Sequence, residues 1–391
     1  MPLDILYVGT LPPHPGGSAI LAGQVLEGFV ASGHAVRAIS PVAAGLESAP
    51  APKGVDLTRF AMPWFEMSPD QPASEQYREA EGRGIRRLFL PMVEAARPDV
   101  VIIGREIFVW HVAELAGAQA LPSVLWVQGG TTWGMRNGSL PESMTRKILA
   151  EIGKVDRVVA VAHHVLGPLQ ELGIDGAEAI PNGVDLDRFR PGPPRPDTLA
   201  ELGIPDDGVV VLHASNMKEL KRPRDLVRAA GIVSETDPSV TWVMVGDGPV
   251  LGDLKALCRE MDLEDRFRFV GWVDHADMPD LLRAADVVVM PSAAEALALV
   301  YLETQACGRV LVASDIPAAR EVVTDGENGL LFPVGDAERL AEHLLRLAAD
   351  PELRTRIGDR ARERVHAHSM RGAVAGHIRV LEDLVAGPSP R

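Results

Sequence analysis

Short runs of apolar and β-branched residues alternate with helix-like stretches along nearly the whole chain of 391 residues. Each run is followed by a loop and then by a segment with helical spacing, which is typical of parallel strands joined by helices on both faces of a sheet. The sequence therefore predicts doubly wound α/β structure. The runs lie at 5–8, 35–39, 100–103, 124–127 and 158–161, and then at 209–212, 241–245, 268–270, 287–290 and 310–313.

A Pro/Gly-rich stretch at 191–196 separates the two series of runs and is typical of a linker. The length of the chain also favours two domains. We therefore expect one domain at 1–190, a second at 191–370, and a C-terminal helix with a frayed tail at 371–391. Ligands of open α/β sheets bind beyond the carboxyl ends of the strands, so the loops that follow the strands carry the candidate residues.

Charge and cysteine usage exclude several classes of protein. The net charge is −15, from 39 basic and 54 acidic residues, which disfavours a nucleic-acid partner. The two cysteines have no metal-type spacing, and no apolar run is long enough to span a bilayer. The N-terminus lacks the pattern of a signal peptide. We predict a cytoplasmic protein without a membrane segment, and the sequence leaves a homodimer open.

The loop at 12–18 brings two glycines, Gly16 and Gly17, to the start of a predicted helix. Glycines let a backbone approach a ligand, and a helix N-terminus offers free N–H groups. The loop therefore suits contact with a diphosphate or an acceptor, or else it is only a tight turn. It matches neither the dinucleotide-binding glycine pattern nor a P-loop, which disfavours NAD and ATP folds.

The loop at 212–223 concentrates positive charge after the first strand of the second series. It contains Lys218, Lys221 and Arg222, and the whole chain has only six lysines. Such a cluster beside a helix start suits a diphosphate leaving group. The alternative is a solvated basic helix start.

Two glutamates follow the strand predicted at 287–290. Glu295 lies just past the strand, and Glu303 comes eight residues later in an otherwise apolar helix. A carboxylate in such a helix is unfavourable without a partner, and sugar or ribose hydroxyls donate the hydrogen bonds it accepts. The alternative is a glutamate that faces solvent. The loops at 245–249 and 269–273, read alone, are simple turns.

The segment 295–308 resembles the E-x7-E segment of the GT4 group of retaining GT-B glycosyltransferases. The segments "IPNGVDLDRFRP", "VGDGP" and "FVGWV" resemble further segments of that family and occur in the same order. The resemblance covers nearly the whole chain. Within the family, "PGGSAILAGQVLEGFVASGH" and "HASNMKELKRPRDLV" are most similar to the bacillithiol-pathway group that transfers N-acetylglucosamine to L-malate.

The resemblance implies a GT-B fold, with two Rossmann-like domains facing a central cleft. Residues 1–190 would bind the acceptor, residues 191–370 would bind the nucleotide sugar, and the C-terminal helix would pack back toward the first domain. The implied reaction transfers a glucose- or N-acetylglucosamine-like sugar from a UDP-sugar to a hydroxyl of a small, lipid or natural-product acceptor. Retaining front-face displacement by this hexosyltransferase would need no metal and no cofactor.

The resemblance also assigns roles to residues. The catalytic candidates are Lys221, Glu295 and Gln128. The donor-binding candidates are Gly16, Gly17, Asn216, Lys218, Lys221, Gly248, Trp272, Val273, Glu295, Ala298, Leu299, Val300 and Glu303. The acceptor-binding candidates are Ser18, Arg105, Glu106 and Gln128.

Three departures from the family pattern are present. Gln128 stands where family members often have a histidine, the segment 104–106 replaces a histidine-rich strand end, and Ala298 replaces a usual glycine after the first glutamate. We therefore expect an acceptor other than L-malate, read by Arg105, Glu106 and Gln128. Two alternatives remain open: a nucleotide-sugar-binding protein that has lost transfer, and an epimerase or phosphorylase on the same scaffold. The pair at 163–164, two histidines after a strand, is interpreted as structural.

Overall fold

The structure is a computed structural model that describes residues 1–14, 16–62, 75–195, 197–201, 203, 208–237 and 239–387. Predictions that involve Pro15, Pro196 and the tail at 388–391 fall outside these residues. The chain forms two compact units. Unit 1 comprises Met1–Asn182 and Met370–Arg391, and unit 2 comprises Gly183–Ser369. No described helix has the length and apolar character needed to cross a membrane.

Unit 1 contains a seven-stranded sheet in the order β3-β2-β1-β4-β5-β6-β7, in which every described pair of strands is parallel. The strands are β1 (Asp4–Val8), β2 (Ala35–Ala43), β3 (Asp56–Met62), β4 (Val100–Ile103), β5 (Ser123–Val127), β6 (Arg157–Ala160) and β7 (Glu178–Ala179). The helices are α1 (Gly17–Ala31), α2 (Glu75–Ala95), α3 (Val109–Ala118), α4 (Gly130–Arg136), α5 (Glu142–Ile152), α6 (Leu166–Glu171) and α15 (Met370–Ala386).

The central strands of unit 1 are buried on both faces, which explains their continuous apolar sequences. Every residue of β4 and β5 is buried, as expected when helices cover a parallel sheet on both sides. The C-terminal helix α15 packs against α1 at a glycine. A Cβ at Gly28 would lie 2.4 Å from Val374 Cγ2, so a larger residue there would separate the two helices.

His377 of α15 gives unit 1 an expected sensitivity to acid. Its ring packs 4.6 Å from Trp126, and burial lowers the pKa of His377 from 6.5 to about 3. The unfolded chain binds this proton below its ordinary pKa and the folded chain does not, so stability is lost as pH falls below about 6.5. We expect a loss of about 2 kcal/mol between pH 7 and pH 5 from this group.

The measurement is the melting temperature of the whole protein against pH, for the wild-type protein and for His377→Phe. The variant keeps an aromatic ring but binds no proton, so its melting temperature should fall less on acidification. The matched control is replacement of His366, which is exposed, and that variant should retain the wild-type slope. Equal slopes for His377→Phe and wild type would contradict this account.

Unit 2 contains a six-stranded parallel sheet in the order β10-β9-β8-β11-β12-β13. The strands are β8 (Val210–Ala214), β9 (Thr241–Val245), β10 (Phe267–Gly271), β11 (Val287–Met290), β12 (Val310–Ser314) and β13 (Leu330–Phe332). The helices are α7 (Thr198–Glu201), α8 (Pro223–Thr236), α9 (Leu251–Glu260), α10 (Met278–Ala284), α11 (Leu299–Ala306), α12 (Pro317–Val322), α13 (Ala337–Ala349) and α14 (Pro351–Arg364).

The predicted fold class, two doubly wound parallel-sheet domains, is confirmed. In both sheets the strand order reverses at the centre, between β1 and β4 in unit 1 and between β8 and β11 in unit 2. Loops that leave the carboxyl ends of adjacent strands at such a reversal diverge and leave room for a ligand. The loops after β8 and β11 contain the predicted Lys221 and Glu295.

The structure divides the chain before the Pro/Gly-rich stretch, at Asn182 and Gly183. The reason lies in contacts of the segment that follows. The Val184 N–H donates to the carbonyl of His368 at 2.9 Å, and Arg362 donates to the carbonyl of Phe189 at 3.1 Å. These bonds attach residues 183–190 to unit 2, whereas the sequence placed them at the end of the first domain.

Candidate active site

Three loops at the carboxyl edge of the unit 2 sheet are joined by backbone hydrogen bonds. Met217 N–H, after β8, donates to the carbonyl of Asp247, after β9, at 2.8 Å. Gly246 N–H donates to the carbonyl of Gly271, at the end of β10, at 2.7 Å. A Cβ at Gly248 would lie 2.5 Å from the Met217 carbonyl oxygen, so only glycine fits there. The predicted donor-binding Gly248 therefore holds two of these loops together.

Lys221 and Glu295 form a partly buried ion pair beside these loops. The Lys221 Nζ lies 2.5 Å from Glu295 Oε1, and the two side chains are 19% and 8% exposed. Ser292 Oγ donates to the same oxygen at 2.7 Å. The Ala293 N–H donates to the carbonyl of Leu220 at 2.8 Å, which fixes the loop after β11 against the loop after β8. Two residues that the sequence predicted separately are thus neighbours.

Lys221 retains capacity for a ligand despite this pair. An ammonium group has three donors, and Glu295 takes one of them. Arg222, the third cation of the loop, is engaged with the buried Asp225, whose Oδ2 lies 2.5 Å from the Arg222 Nε. The Oδ1 atom of Asn216 is buried without a hydrogen-bond partner in the described structure. Lys221 and Asn216 are therefore suited to polar contact with a ligand.

A buried histidine, His213, makes two hydrogen bonds near this edge of the sheet. His213 Nδ1 lies 2.9 Å from the Val289 carbonyl oxygen, and Nε2 lies 2.7 Å from Ser215 Oγ. Burial lowers the pKa of His213 from 6.5 to about 4, with the charge of Lys221 acting in the same direction. A carbonyl only accepts, so Nδ1 carries the proton of the neutral ring and Nε2 accepts from Ser215. The ring thereby connects the central strands β8 and β11.

Glu303 lies in α11 with its carboxylate nearly buried. Its Oε1 lies 2.6 Å from His275 Nε2, and its side chain is only 7% exposed. The His275 ring packs against Phe189 at 5.4 Å between ring centroids. A buried carboxylate was predicted from the apolar helix, and the structure shows it. Trp272 is exposed and Val273 is half-buried, both in the loop that leads to His275.

The first turn of α11 provides backbone donors near Glu295. Ala298 is the N-cap residue and has extended backbone angles, with φ −68° and ψ 127°. No side chain caps the helix, so its first turn keeps amide N–H groups without intrahelical partners. The predicted donor-binding Leu299 and Val300 supply two of these groups.

In unit 1, the glycine loop has the predicted strand-to-helix geometry. Gly16 is the N-cap residue of α1 and has φ 121°, a conformation that side chains other than glycine rarely adopt. Gly17 begins the helix, and Ser18 follows in its first turn. Arg59 Nη2 donates to the carbonyl of Pro12 at 2.7 Å and so holds the start of the loop.

The carboxylate of Glu106 makes its hydrogen bonds within unit 1. Its carboxylate accepts from the N–H groups of Gln128 at 3.2 Å and Gly129 at 3.0 Å, and from Thr132 Oγ1 at 3.2 Å. The residue is completely buried. These bonds give Glu106 a structural role in orienting the loop that presents Gln128 after β5. Acceptor binding by Glu106 and Gln128 stays a prediction.

Sequence reasoning missed three residues of the unit 2 site, namely Ser292, His275 and His213. His275 and His213 act through contacts between segments that are distant in the chain, whereas Ser292 donates to Glu295 three residues away. His275 and its partner Glu303 are 28 residues apart. No motif signals such a pair, although the position of His275 shortly after Trp272 and Val273 was a usable hint. Among the described residues, no group of three or more His, Cys, Asp or Glu side chains is arranged to hold a metal ion.

Comparison with known protein families gives two matches along the chain. The model of Glycosyltransferase Family 4 matches residues 15–188, and the model of Glycosyl transferases group 1 matches residues 194–364. Together they span both units. The chain belongs to glycosyltransferase family 4.

Curated relatives match this family 4 chain over part of their length. D-inositol 3-phosphate glycosyltransferase of Saccharomonospora viridis is 34% identical over 266 residues, which cover 64% of this chain and 62% of that protein. N-acetyl-alpha-D-glucosaminyl L-malate synthase of Bacillus anthracis is 32% identical over 232 residues, 59% of each chain. The matches thus span about three fifths of these relatives.

Solved structures show that the family 4 chain has the GT-B fold. Sucrose-phosphate synthase of Thermosynechococcus elongatus superposes with a TM-score of 0.84 at 22% identity, over 98% of this chain and 99% of that one. Anabaena HepE, in complex with UDP and glucose, gives 0.78 at 18% identity, over 97% and 99%.

Proposed function

We propose that this chain is a retaining glycosyltransferase that moves a sugar from a UDP-sugar to a hydroxyl of an acceptor by front-face displacement. The donor sugar would be glucose- or N-acetylglucosamine-like. The observation that carries the proposal is the arrangement of Lys221, Glu295 and Glu303 along one edge of the unit 2 sheet. The names of the curated relatives, which transfer sugars to inositol phosphate and malate, support it.

In this proposal, unit 2 binds the donor. Lys221, with Lys218 and Asn216, contacts the diphosphate, and its contribution grows as negative charge develops on the leaving group. The Oε1 atoms of Glu295 and Glu303 are occupied by Lys221 and His275. Each carboxylate therefore has its second oxygen for hydroxyl donors, Glu295 for the donor sugar and Glu303 for the ribose.

The remaining predicted residues have supporting roles. The loop with Trp272 and Val273 contacts the base, and the first-turn amides of α11 contact the sugar. In unit 1, the amides of Gly16 and Gly17 are backbone donors for a substrate. Gln128 hydrogen-bonds the incoming hydroxyl but cannot remove its proton, so the proton passes to the donor's own phosphate. No step of this scheme requires a metal or a cofactor.

The direct test is thermal unfolding of the purified protein with a panel of UDP-sugars, because a ligand of the folded state raises its stability. The sugar that gives the largest rise is then incubated with candidate acceptors, and the anomeric configuration of the product is read by NMR. We expect retention at the anomeric carbon. An inverted product would contradict front-face displacement, and conversion of the UDP-sugar without any acceptor would indicate epimerase activity instead.

His275 is expected to position Glu303. Loss of its 2.6 Å bond in His275→Ala frees the carboxylate to rotate, and we expect KM for the donor to rise about fivefold with little change in kcat. In His275→Gln the amide still donates, so KM should return most of the way to the wild-type value. Steady-state kinetics with varied donor check this; a drop in kcat at unchanged KM would show a different role.

A further inference from the structure

The first residues of unit 2, 183–190, form a connecting segment whose backbone is bound to two helices of that unit. Four of its carbonyl groups accept hydrogen bonds from arginine side chains of α10 and α14. The bonds run from Arg362 to the carbonyls of Leu186 at 3.4 Å and Phe189 at 3.1 Å, and from Arg283 to those of Arg188 and Arg190 at 3.0 Å each. Because its main chain is fixed, the segment holds its side chains at defined positions on unit 2.

One of these arginines also binds the helix that contains Glu303. The Nη1 atom of Arg362 donates to the carbonyl of Ala306 at 2.9 Å as well as to that of Phe189. Ala306 is the last residue of α11. The connecting segment and the end of α11 therefore share one donor, which fixes their backbones relative to each other.

Two side chains of the connecting segment contact His275. Phe189 is buried, and its ring packs against the imidazole with 5.4 Å between centroids and an interplanar angle of 46°. The guanidinium carbon of Arg188 lies 5.4 Å from the centroid of the same Phe189 ring, and Arg188 donates to the main-chain carbonyl of His275. The segment thus contacts both the ring and the backbone of His275.

His275 depends on such contacts for its orientation. It lies between β10 and α10, outside regular secondary structure. Its Nε2 lies 2.6 Å from Glu303 Oε1, and because a carboxylate only accepts, Nε2 donates this bond. The bond occupies one oxygen of Glu303 and fixes the direction of the other. The position of the imidazole therefore determines where the second oxygen of Glu303 points.

We propose that Arg188 and Phe189 are positioning residues of the donor site, which act through His275 to direct the second oxygen of Glu303 toward the ribose hydroxyls. Neither side chain needs to touch the donor. The inference rests on the proposed function and deepens it, because the connecting segment then takes part in recognition of the ribose.

The test uses UDP and its dideoxy form, which lacks both ribose hydroxyls, in calorimetric titrations of the whole protein. The wild-type protein should bind UDP about tenfold or more tightly than the dideoxy form, since only UDP has hydroxyls for Glu303. Phe189→Leu should weaken binding of UDP about three- to fivefold and that of the dideoxy form by less than about twofold. A general loss of structure would weaken both ligands alike.

Arg188 provides a second variant at a half-buried position, which keeps the test available if Phe189→Leu does not fold. Arg188→Gln should lower the preference for UDP over the dideoxy form about threefold. Arg188→Lys keeps a charged donor for the His275 carbonyl, so it should restore most of that preference.

Two control variants match these substitutions in residue type. Phe332→Leu removes an equally buried ring from β13, at the edge of the sheet opposite β10. Arg190→Gln removes an exposed arginine from the connecting segment itself. Both controls should keep the wild-type preference for UDP.

A double-mutant cycle tests whether the effect passes through His275. Phe189→Leu added to His275→Ala should weaken UDP binding by less than about twofold beyond His275→Ala alone, because no imidazole is left to position. Effects that multiply in the double variant would show that Phe189 acts by another route.

The inference is overturned if Phe189→Leu and Arg188→Gln keep the wild-type preference, if both ligands weaken equally, or if the two effects multiply. Failure of the proposed function looks different. A wild-type protein that binds no UDP, or that binds UDP and its dideoxy form equally, would refute the proposed donor site and this inference together. A wild-type preference for UDP that survives in both variants would refute this inference alone.

Discussion

Replacing Lys221 with alanine should lower kcat/KM for the donor about 30- to 1000-fold, and most of the loss should be in kcat. The lysine opposes charge that builds on the diphosphate as it leaves, and a preorganised charged donor of this kind contributes about 2–4 kcal/mol to transition-state stabilisation. The variant also leaves the Glu295 carboxylate with Ser292 as its one described hydrogen-bond donor. Steady-state rates of UDP release, measured well below the melting temperature, give the effect.

The control for this experiment is Lys255→Ala. Lys255 lies on α9, and its ammonium lies 5.4 Å from the Phe269 ring centroid, so the substitution removes the same charge from unit 2 away from Glu295. That variant should keep the wild-type rate. If Lys221→Ala turns over at the wild-type rate while remaining folded, the lysine has no part in the reaction.

Replacing Glu303 with alanine should raise KM for the donor about 10- to 100-fold and leave kcat within about twofold. Hydrogen bonds to a buried carboxylate are each worth about 1.5–3 kcal/mol. Bonds to the ribose form on binding and do not change in the transition state, so they act on KM alone. Glu303→Gln should be intermediate, because its amide oxygen still accepts but its charge is lost.

Glu342→Gln is the matched control, since Glu342 lies on α13 with its side chain 64% exposed. Its kinetics should equal those of the wild-type protein. The interpretation of Glu303 is wrong if Glu303→Ala binds the donor with unchanged KM, or if the change falls entirely on kcat.

Much of the fold could be predicted because the alternation of apolar runs and helical stretches directly reflects parallel strands covered on both faces. The continuous apolar residues of β4 and β11 are examples. The boundary between the two units was harder to predict from the sequence. It depends on hydrogen bonds that tie Val184 and Phe189 to residues far along the chain, and the Pro/Gly composition of 191–196 does not report these contacts.

The site could be predicted where a residue's position relative to a strand decided its place. Lys221 and Glu295 each follow a strand, and strand order then brings them together. For the other residues, contacts with neighbouring loops determined their role, and the sequence did not show these contacts. Glu106 also follows a strand, yet its carboxylate is used by backbone N–H groups of the neighbouring loop. His275 depends on packing between distant segments, which spacing along the sequence does not encode.

Calorimetric titration with UDP tests the central claim most directly. That claim is that the carboxyl edge of the unit 2 sheet binds a nucleoside diphosphate through Lys221 and Glu303. The wild-type protein should bind UDP with one saturable site, and Lys221→Ala and Glu303→Ala should each weaken it at least about tenfold. A folded wild-type protein that takes up no UDP, or variants that bind it as tightly as wild type, would contradict the account.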